Sequence, residues 1–310
     1  MRLEVSDGDQ QRHMYAIVRY NQHGILVSMG SRNRLALSKN RLKSLIAKPW
    51  LLPDKALAYF LTRLTHRLCL SIASFGWLQA IFYSLRIDQW QRLASVARQI
   101  KALSEKPLAI LDVGGQGGIS QEFLNPNEYR LCILDINTEA LRAVGHSQVE
   151  VVAGDGCFLP FKDNSFDVVV SVDSLEHVAA LKKVKYCREL KRVAKKFVII
   201  HCPADSADGK FQGTTYDTKF LRWYQQRFKE DETNTVEHLN SKLPKVEELL
   251  QLFTDATVIG KQNAEIWLKY MTWEFSPYIR FVNGVVYKLH LQTKDDLPPY
   301  HACLLVWRKQ

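Results

Sequence analysis

The most chemically loaded stretch of this chain is "ILDVGGQGG", in which Asp112 is followed by Gly114, Gly115, Gln116, Gly117 and Gly118. Four glycines in five positions cost backbone entropy on folding, so they must serve positive φ or close approach of a ligand to the main chain. Further acids follow: Asp135, 23 residues after Asp112, and Asp155 in "GDGCFLPF". A carboxylate at a strand end can accept from sugar hydroxyls or from a ring amine. Three candidate proton acceptors come next, Asp173 and His177 in "VDSLEHV" and His201 in "VIIHCP". Imidazole titrates near neutrality, where a general base is useful. Phosphate, dinucleotide and nucleoside ligands are the usual reasons for such a glycine loop.

Two other glycine-loop chemistries do not fit. A dinucleotide fingerprint begun at Gly114 needs glycine at 116 and 119, where the chain has Gln116 and Ile119; begun at Gly115 it meets Ser120. A phosphate loop needs Gly-Lys-Ser/Thr after the glycines, and none follows. The six cysteines are scattered without a C-x-x-C pair, which reads as reduced thiols with no zinc pattern; no metal ligands are assigned.

The elements that must position these residues alternate regularly. "DQWQRLASVARQIKALSEK" has helical spacing, and "PLAILDV", "YRLCILDIN", "VEVVAGD", "SFDVVVSVD" and "FVIIHCP" read as apolar strands separated by amphipathic stretches. Two further strand-like runs, "ATVIGKQ" and "ACLLVWRK", close the chain. This pattern predicts an α/β fold: a Rossmann-like, mostly parallel seven-stranded sheet with helices on both faces. Four regions follow: a basic, largely helical region over 1–100, a nucleoside-binding core over 101–205, an aromatic and charged insertion over 206–253, and sheet-completing strands over 254–310. The insertion follows the fifth strand, where a cover over a substrate belongs.

Taken together, the blocks resemble class I S-adenosylmethionine-dependent methyltransferases of the type 11 branch. "ILDVGGQGG" is similar to the family's first motif, "LDIN" to its second-strand acid, "GDGCFLPFKDNSFDVVVS" to its third-strand block and "VDSLEHV" to its Leu-Glu-His block. The likeness covers about a third of the chain. It implies S-adenosylmethionine as cofactor, held by Asp112, Gly114, Gly115, Gln116, Gly118, Asp135, Ile136, Asp155, Gly156, Cys157 and Ser171. Gln116 replaces the family's middle glycine, with Gly117 beside it. The resemblance makes His177 and Asp173 the catalytic candidates, with His201 a further candidate base. Relatives that methylate nucleobase amines often carry Asp/Asn-Pro-Pro-Tyr where this chain has Ser171-Val172-Asp173-Ser174, so oxygen or an activated carbon is the expected acceptor atom. Glu237 and His238, in "VEHLNSKLP", either face substrate or tie the insertion down.

Charge is uneven: residues 1–107 carry 17 lysines and arginines against 6 acids, while the remainder carries 25 against 26. Within the basic part, Leu57, Phe60, Leu61, Leu64, Leu68 and Ile72 fall on one helical stripe of the segment 53–85. Such a stripe either caps the catalytic core or lies on an anionic membrane surface. The polar opening "MRLEVSDGDQQRH" is not a secretory signal, so the expected location is cytoplasmic or peripheral on the inner face of a membrane. Expected partners are a small-molecule or lipid-linked acceptor; nucleic acid is disfavoured, as no RNA-binding signature accompanies the charge. A nucleic-acid methyltransferase guided by the basic region and a cofactor-binding scaffold without turnover are the rival readings.

Overall fold

The computed structural model describes residues 15–21, 24–30, 87–103, 108–115, 123–124, 128–142, 144, 149–275, 286–287, 291 and 294–310. Gln116, Gly117, Gly118 and the stripe within 53–85 lie outside these residues. Among the described residues no helix is long and apolar enough to cross a membrane.

The chain divides into two units, Met1–Thr62 and Arg63–Gln310. In the first, Tyr15–Asn21 (β1) and Gly24–Gly30 (β2) pair antiparallel, Tyr15 opposite Gly30. The sequence reading expects a largely helical region here. The residues described in this unit are instead a strand pair, since the β-branched Ile and Val, which favour extended backbone, recur in both runs.

In the second unit, helix α1 (Ile87–Lys101) leads into a seven-stranded sheet. The strands are β3 (Leu108–Val113), β4 (Tyr129–Asp135), β5 (Glu150–Ala153), β6 (Phe166–Val172), β7 (Ala194–Pro203), β8 (Thr257–Asn263) and β9 (Tyr300–Arg308). Their spatial order is β5-β4-β3-β6-β7-β9-β8. Strands β3 to β7 run parallel, and β9 is antiparallel to both β7 and β8. Helices α2 (Thr138–Arg142) and α3 (Lys183–Val193) belong to the crossovers, and α7 (Ala264–Glu274) joins β8 to the closing strand. The insertion folds as α4 (Gly213–Phe228), α5 (Thr233–Ser241) and α6 (Val246–Leu252).

Alternation along the strands sorts the core. Leu111, Val113, Val169, Val198 and Ile200 pack on one face with Tyr186, Leu190 and Val193 of α3. Ile110, Val168, Val170 and Ile199 pack on the other with Val96, Ala97 and Ile100 of α1. A third, aromatic cluster joins α4 to α7 through Tyr216, Phe220, Tyr224, Trp267 and Tyr270.

Register then does the positioning. Asp112 lies opposite Ile133, Val113 opposite Leu134, Asp135 opposite Ala153, and Ile110 opposite Val168. The carboxyl ends of four parallel strands thus reach one edge side by side, although the blocks that follow them span some 60 residues of sequence. Strand order reverses between β3 and β6, which opens a crevice at that edge, the usual ligand position in an open α/β sheet.

Candidate active site

A cleft of about 820 Å³ opens at that crevice. One wall is made by the strand ends. Gly114 directly follows β3 with φ +79, and its N–H donates to the Leu134 carbonyl at 2.7 Å. A Cβ there would lie 1.5 Å from Ser174 Oγ, so both the conformation and the space require glycine. Asp112, Gly115, Asp135, Ile136, Asp155, Gly156 and Cys157 all line the same cleft. Asp135 is nearly buried, and its Oδ1 accepts from Asn137 N at 2.7 Å. Asp155 Oδ1 accepts from Cys157 N at 2.8 Å, closing the turn that presents Gly156. A Cβ on Gly156 would meet the Tyr186 ring at 2.3 Å.

The opposite wall comes from the turn after β6 and from the insertion. Asp173 takes positive φ (+46), and its N–H donates to the His201 carbonyl at 2.8 Å, so the chain leaves the sheet sharply. The next residues form a 3-10 turn, Leu175–His177, anchored by the fully buried Leu175. Glu232 caps α5 by accepting from Asn234 N and Thr235 N, which fixes Glu237 and His238 on the first turns of that helix. His177 Nδ1 then meets Glu237 Oε2 at 3.0 Å, and the His177 and His238 rings pack edge to face with centroids 4.7 Å apart. His238 Nδ1 in turn binds Asp217 Oδ2 of α4 at 3.0 Å, while Asp217 Oδ1 binds His301 Nε2 of β9 at 2.8 Å. His301 stacks on Trp267 at 3.6 Å with a 9° interplanar angle. Burial alone would raise the Asp217 carboxyl, but His301 and His238 reverse that and bring it down to about 2. Burial opposes charge on His238, yet Asp217 and Glu176 outweigh it and raise its pKa.

Asp173 faces the cleft but is already engaged. It forms an ion pair with Arg92 of α1 and accepts from His201 Nδ1 at 2.9 Å. His201 is itself buried, and burial together with the Arg92 charge pushes it down to about 3. Because Arg92 already balances Asp173, the imidazole stays neutral and donates. This pair ties α1 to the sheet, and neither residue is placed as a free base.

The His201 pKa carries a stability consequence. Its folded value lies below the ordinary 6.5, so the unfolded chain binds more protons between pH 6.5 and about 3, and stability contributed by neutral His201 is lost as pH falls through that window. One such group changes stability by up to about 1.4 kcal/mol per pH unit. Asp295, raised to about 6 by burial, acts in the opposite sense, so the comparison with a variant isolates His201. Urea midpoints from pH 6.5 to 4.5 are expected to fall more steeply in the parent than in His201→Gln, which keeps an N–H for Asp173. Parallel slopes would remove His201 from the acid response.

Most of the sequence-assigned residues meet in this one cleft: Asp112, Gly114, Gly115, Asp135, Ile136, Asp155, Gly156, Cys157, Asp173 and His177. Gln116 and Gly118 lie outside the described residues. Ser171 is a correction. It shares a strand face with Val169, is fully buried, and its hydroxyl pairs with the Tyr186 hydroxyl at 2.8 Å, so it does not reach the cleft. Sequence reasoning missed Arg92, Glu176, Asp217, Trp267 and His301 on the cleft wall.

Residues 111–201 match the family model described as a methyltransferase domain. These residues form a class I methyltransferase domain. Over 152 residues the chain is 31% identical to the sterol 24-C-methyltransferase ERG6B of Gibberella zeae, an alignment covering 44% of this chain and 39% of that protein. It is 32% identical over 104 residues to norajmaline N-methyltransferase of Rauvolfia serpentina, covering 29% and 34%. It is 33% identical over 86 residues to demethylmenaquinone methyltransferase of Corynebacterium urealyticum, covering 28% and 36%. The chain thus spans about two fifths or less of the length of each of these relatives. The family match ends at His201, so the insertion that builds the opposite wall falls outside it.

The strand-end wall of the methyltransferase domain fits the family's cofactor, S-adenosylmethionine. Gly114 and Gly156 leave no room for side chains where a ligand must approach the main chain. Asp135 keeps a second carboxylate oxygen for ribose hydroxyls once Asn137 has taken the first. Ile136 is 76% exposed on the cleft wall, a large apolar side chain suited to the flat face of an adenine ring.

Proposed function

We propose that the chain transfers a methyl group from S-adenosylmethionine to an oxygen of a small or lipid-linked acceptor that enters between the 3-10 turn and the insertion. The observation that carries this reading is that one cleft joins the strand-end wall of Gly114, Asp135 and Asp155 to the histidine and carboxylate wall of Glu176, His177, Glu237 and His238. S-adenosylmethionine, when bound, supplies an electrophilic methyl carbon whose sulfur departs without needing an acid. The strand-end residues grip the nucleoside and fix the direction of the methyl. The Leu175–His177 turn, locked by buried Leu175, holds His177 against the acceptor's side of the cleft. Helices α4 and α5 close over that side and limit water there. Such alignment supplies most of the acceleration in a displacement of this kind.

A polar wall of imidazoles and carboxylates favours an acceptor that carries a removable proton, which supports oxygen over an unactivated carbon. Two of the relatives named above are a C-methyltransferase and an N-methyltransferase, so the oxygen reading rests on the wall of Glu176, His177, Glu237 and His238. Incubation with methyl-labelled S-adenosylmethionine and fractionated extract, followed by mass spectrometry of the labelled product, tests it. An O-methyl ether or ester is expected, and a product labelled only on nitrogen or carbon would overturn the oxygen assignment.

A further inference from the structure

Glu176 is a buried carboxylate without an adequate partner. Its side chain is 1% exposed and its Oε2 accepts no hydrogen bond. The nearby Lys183 ammonium goes to main-chain carbonyls, Leu175 O at 2.6 Å and Glu176 O at 3.4 Å. His238 Nε2 lies 4.0 Å from Glu176 Oε1, beyond hydrogen-bond reach. Leaving a buried carboxylate uncompensated costs several kcal/mol, so a positive charge belongs beside it.

The surroundings say which kind. One ligand atom from each of Glu176, His177 and His238 lies within 4.8 Å of the other two. Atoms bound to one cation at about 2.0–2.2 Å lie roughly 3–4 Å apart, so small side-chain adjustments bring this set around an ion. Both imidazoles have the outer support typical of metal ligands, a carboxylate on one ring nitrogen that leaves the other to coordinate. For His238 that carboxylate is Asp217, and for His177 it is Glu237, each at 3.0 Å. One carboxylate and two imidazoles, with no thiolate, suit Mn²⁺, Fe²⁺, Co²⁺ or Zn²⁺. Three protein ligands leave positions open, and the 33% and 55% exposure of His177 and Glu237 opens the cluster to the cleft.

We propose that Glu176, His177 and His238 bind one divalent transition-metal cation at the acceptor end of the cleft, and that its open position holds the acceptor's hydroxyl oxygen. The second half rests on the oxygen-transfer reading above; the cation site itself does not. Coordination draws charge from the hydroxyl, so its proton leaves to water at ordinary pH. The oxygen lone pair then forms the bond to the methyl carbon while the electrons of the carbon–sulfur bond return to sulfur. The sequence reading assigns no metal here, and His238 lies 61 residues beyond His177, outside any local spacing motif.

Tag-free, full-length protein stripped with chelator and dialysed against Co²⁺ or Mn²⁺ tests the site by metal content and, for Co²⁺, by its visible absorption. About one equivalent per chain is expected. Glu176→Gln, nearly isosteric, should weaken binding by roughly 100-fold, and His177→Ala, at a partly exposed position, should do so with little effect on folding. Calorimetry with S-adenosylmethionine on the same samples separates the two claims. Cofactor binding without a bound cation, or cation binding equal in parent and both variants, overturns the metal site while leaving methyl transfer standing. Stoichiometric cation lost in either folded variant establishes the site even where no cofactor binds.

Discussion

Replacing His177 with alanine is expected to lower turnover at saturating S-adenosylmethionine by about 10²–10⁴-fold, the range associated with losing proton removal at the acceptor, here the loss of a ligand to the cation that releases that proton. Cofactor affinity should stay within about threefold of the parent, because in the proposed reading the nucleoside lies on the strand ends and His177 lines the opposite wall. The split between kcat and cofactor binding is the informative readout. His177 is partly exposed, so loss of fold does not compete as an explanation. Single-turnover kinetics with both substrates saturating measure it, and turnover within threefold of the parent would show that alignment alone carries the reaction.

The second large effect is on stability. Asp217 is buried between His238 on α5 and His301 on β9, binding both, and so links the insertion to the sheet. Asp217→Ala removes the acceptor shared by the buried His301 and half-buried His238 imidazoles and is expected to cost about 3–5 kcal/mol, the range for breaking a buried charged pair from one side. Asp217→Asn should cost less, since its amide oxygen can still serve one imidazole while its N–H₂ group needs the other ring to change tautomer. Urea denaturation of parent and both variants measures the series. A loss below about 1 kcal/mol for Asp217→Ala would mean that the insertion is held by the aromatic cluster of α4 and α7 instead.

The strand-end wall was legible in sequence because its causes are local. A glycine with positive φ, an acid at a strand end and a turn closed by Asp155 each occupy a few consecutive residues, and parallel register brings them together without further instruction. The opposite wall was not legible for the converse reason. Asp217 meets His238 across 21 residues and His301 across 84, and Arg92 meets Asp173 across 81, with no repeat or spacing to announce the meeting. Glu176 stood in plain sight inside the Leu-Glu-His block, but its isolation is a property of burial. Ser171 was misplaced by a single step of strand alternation: Val170 faces α1, so Ser171 turns to the face covered by α3. The strand pair at 15–30 was hidden by the charge of the region around it, which says nothing of backbone preference.

The central claim is that the Gly114, Asp135 and Asp155 edge of the sheet binds S-adenosylmethionine. Isothermal titration of the parent and of Asp135→Ala tests it most directly. S-adenosylmethionine and its demethylated product are expected to bind the parent, and NAD is not. Asp135→Ala removes an acceptor of two ribose hydroxyls, and losing hydrogen bonds to a charged group costs about 1.5–3 kcal/mol, or roughly 10- to 150-fold in affinity. Binding of NAD in place of S-adenosylmethionine, or undiminished affinity in a folded Asp135→Ala protein, would contradict the account.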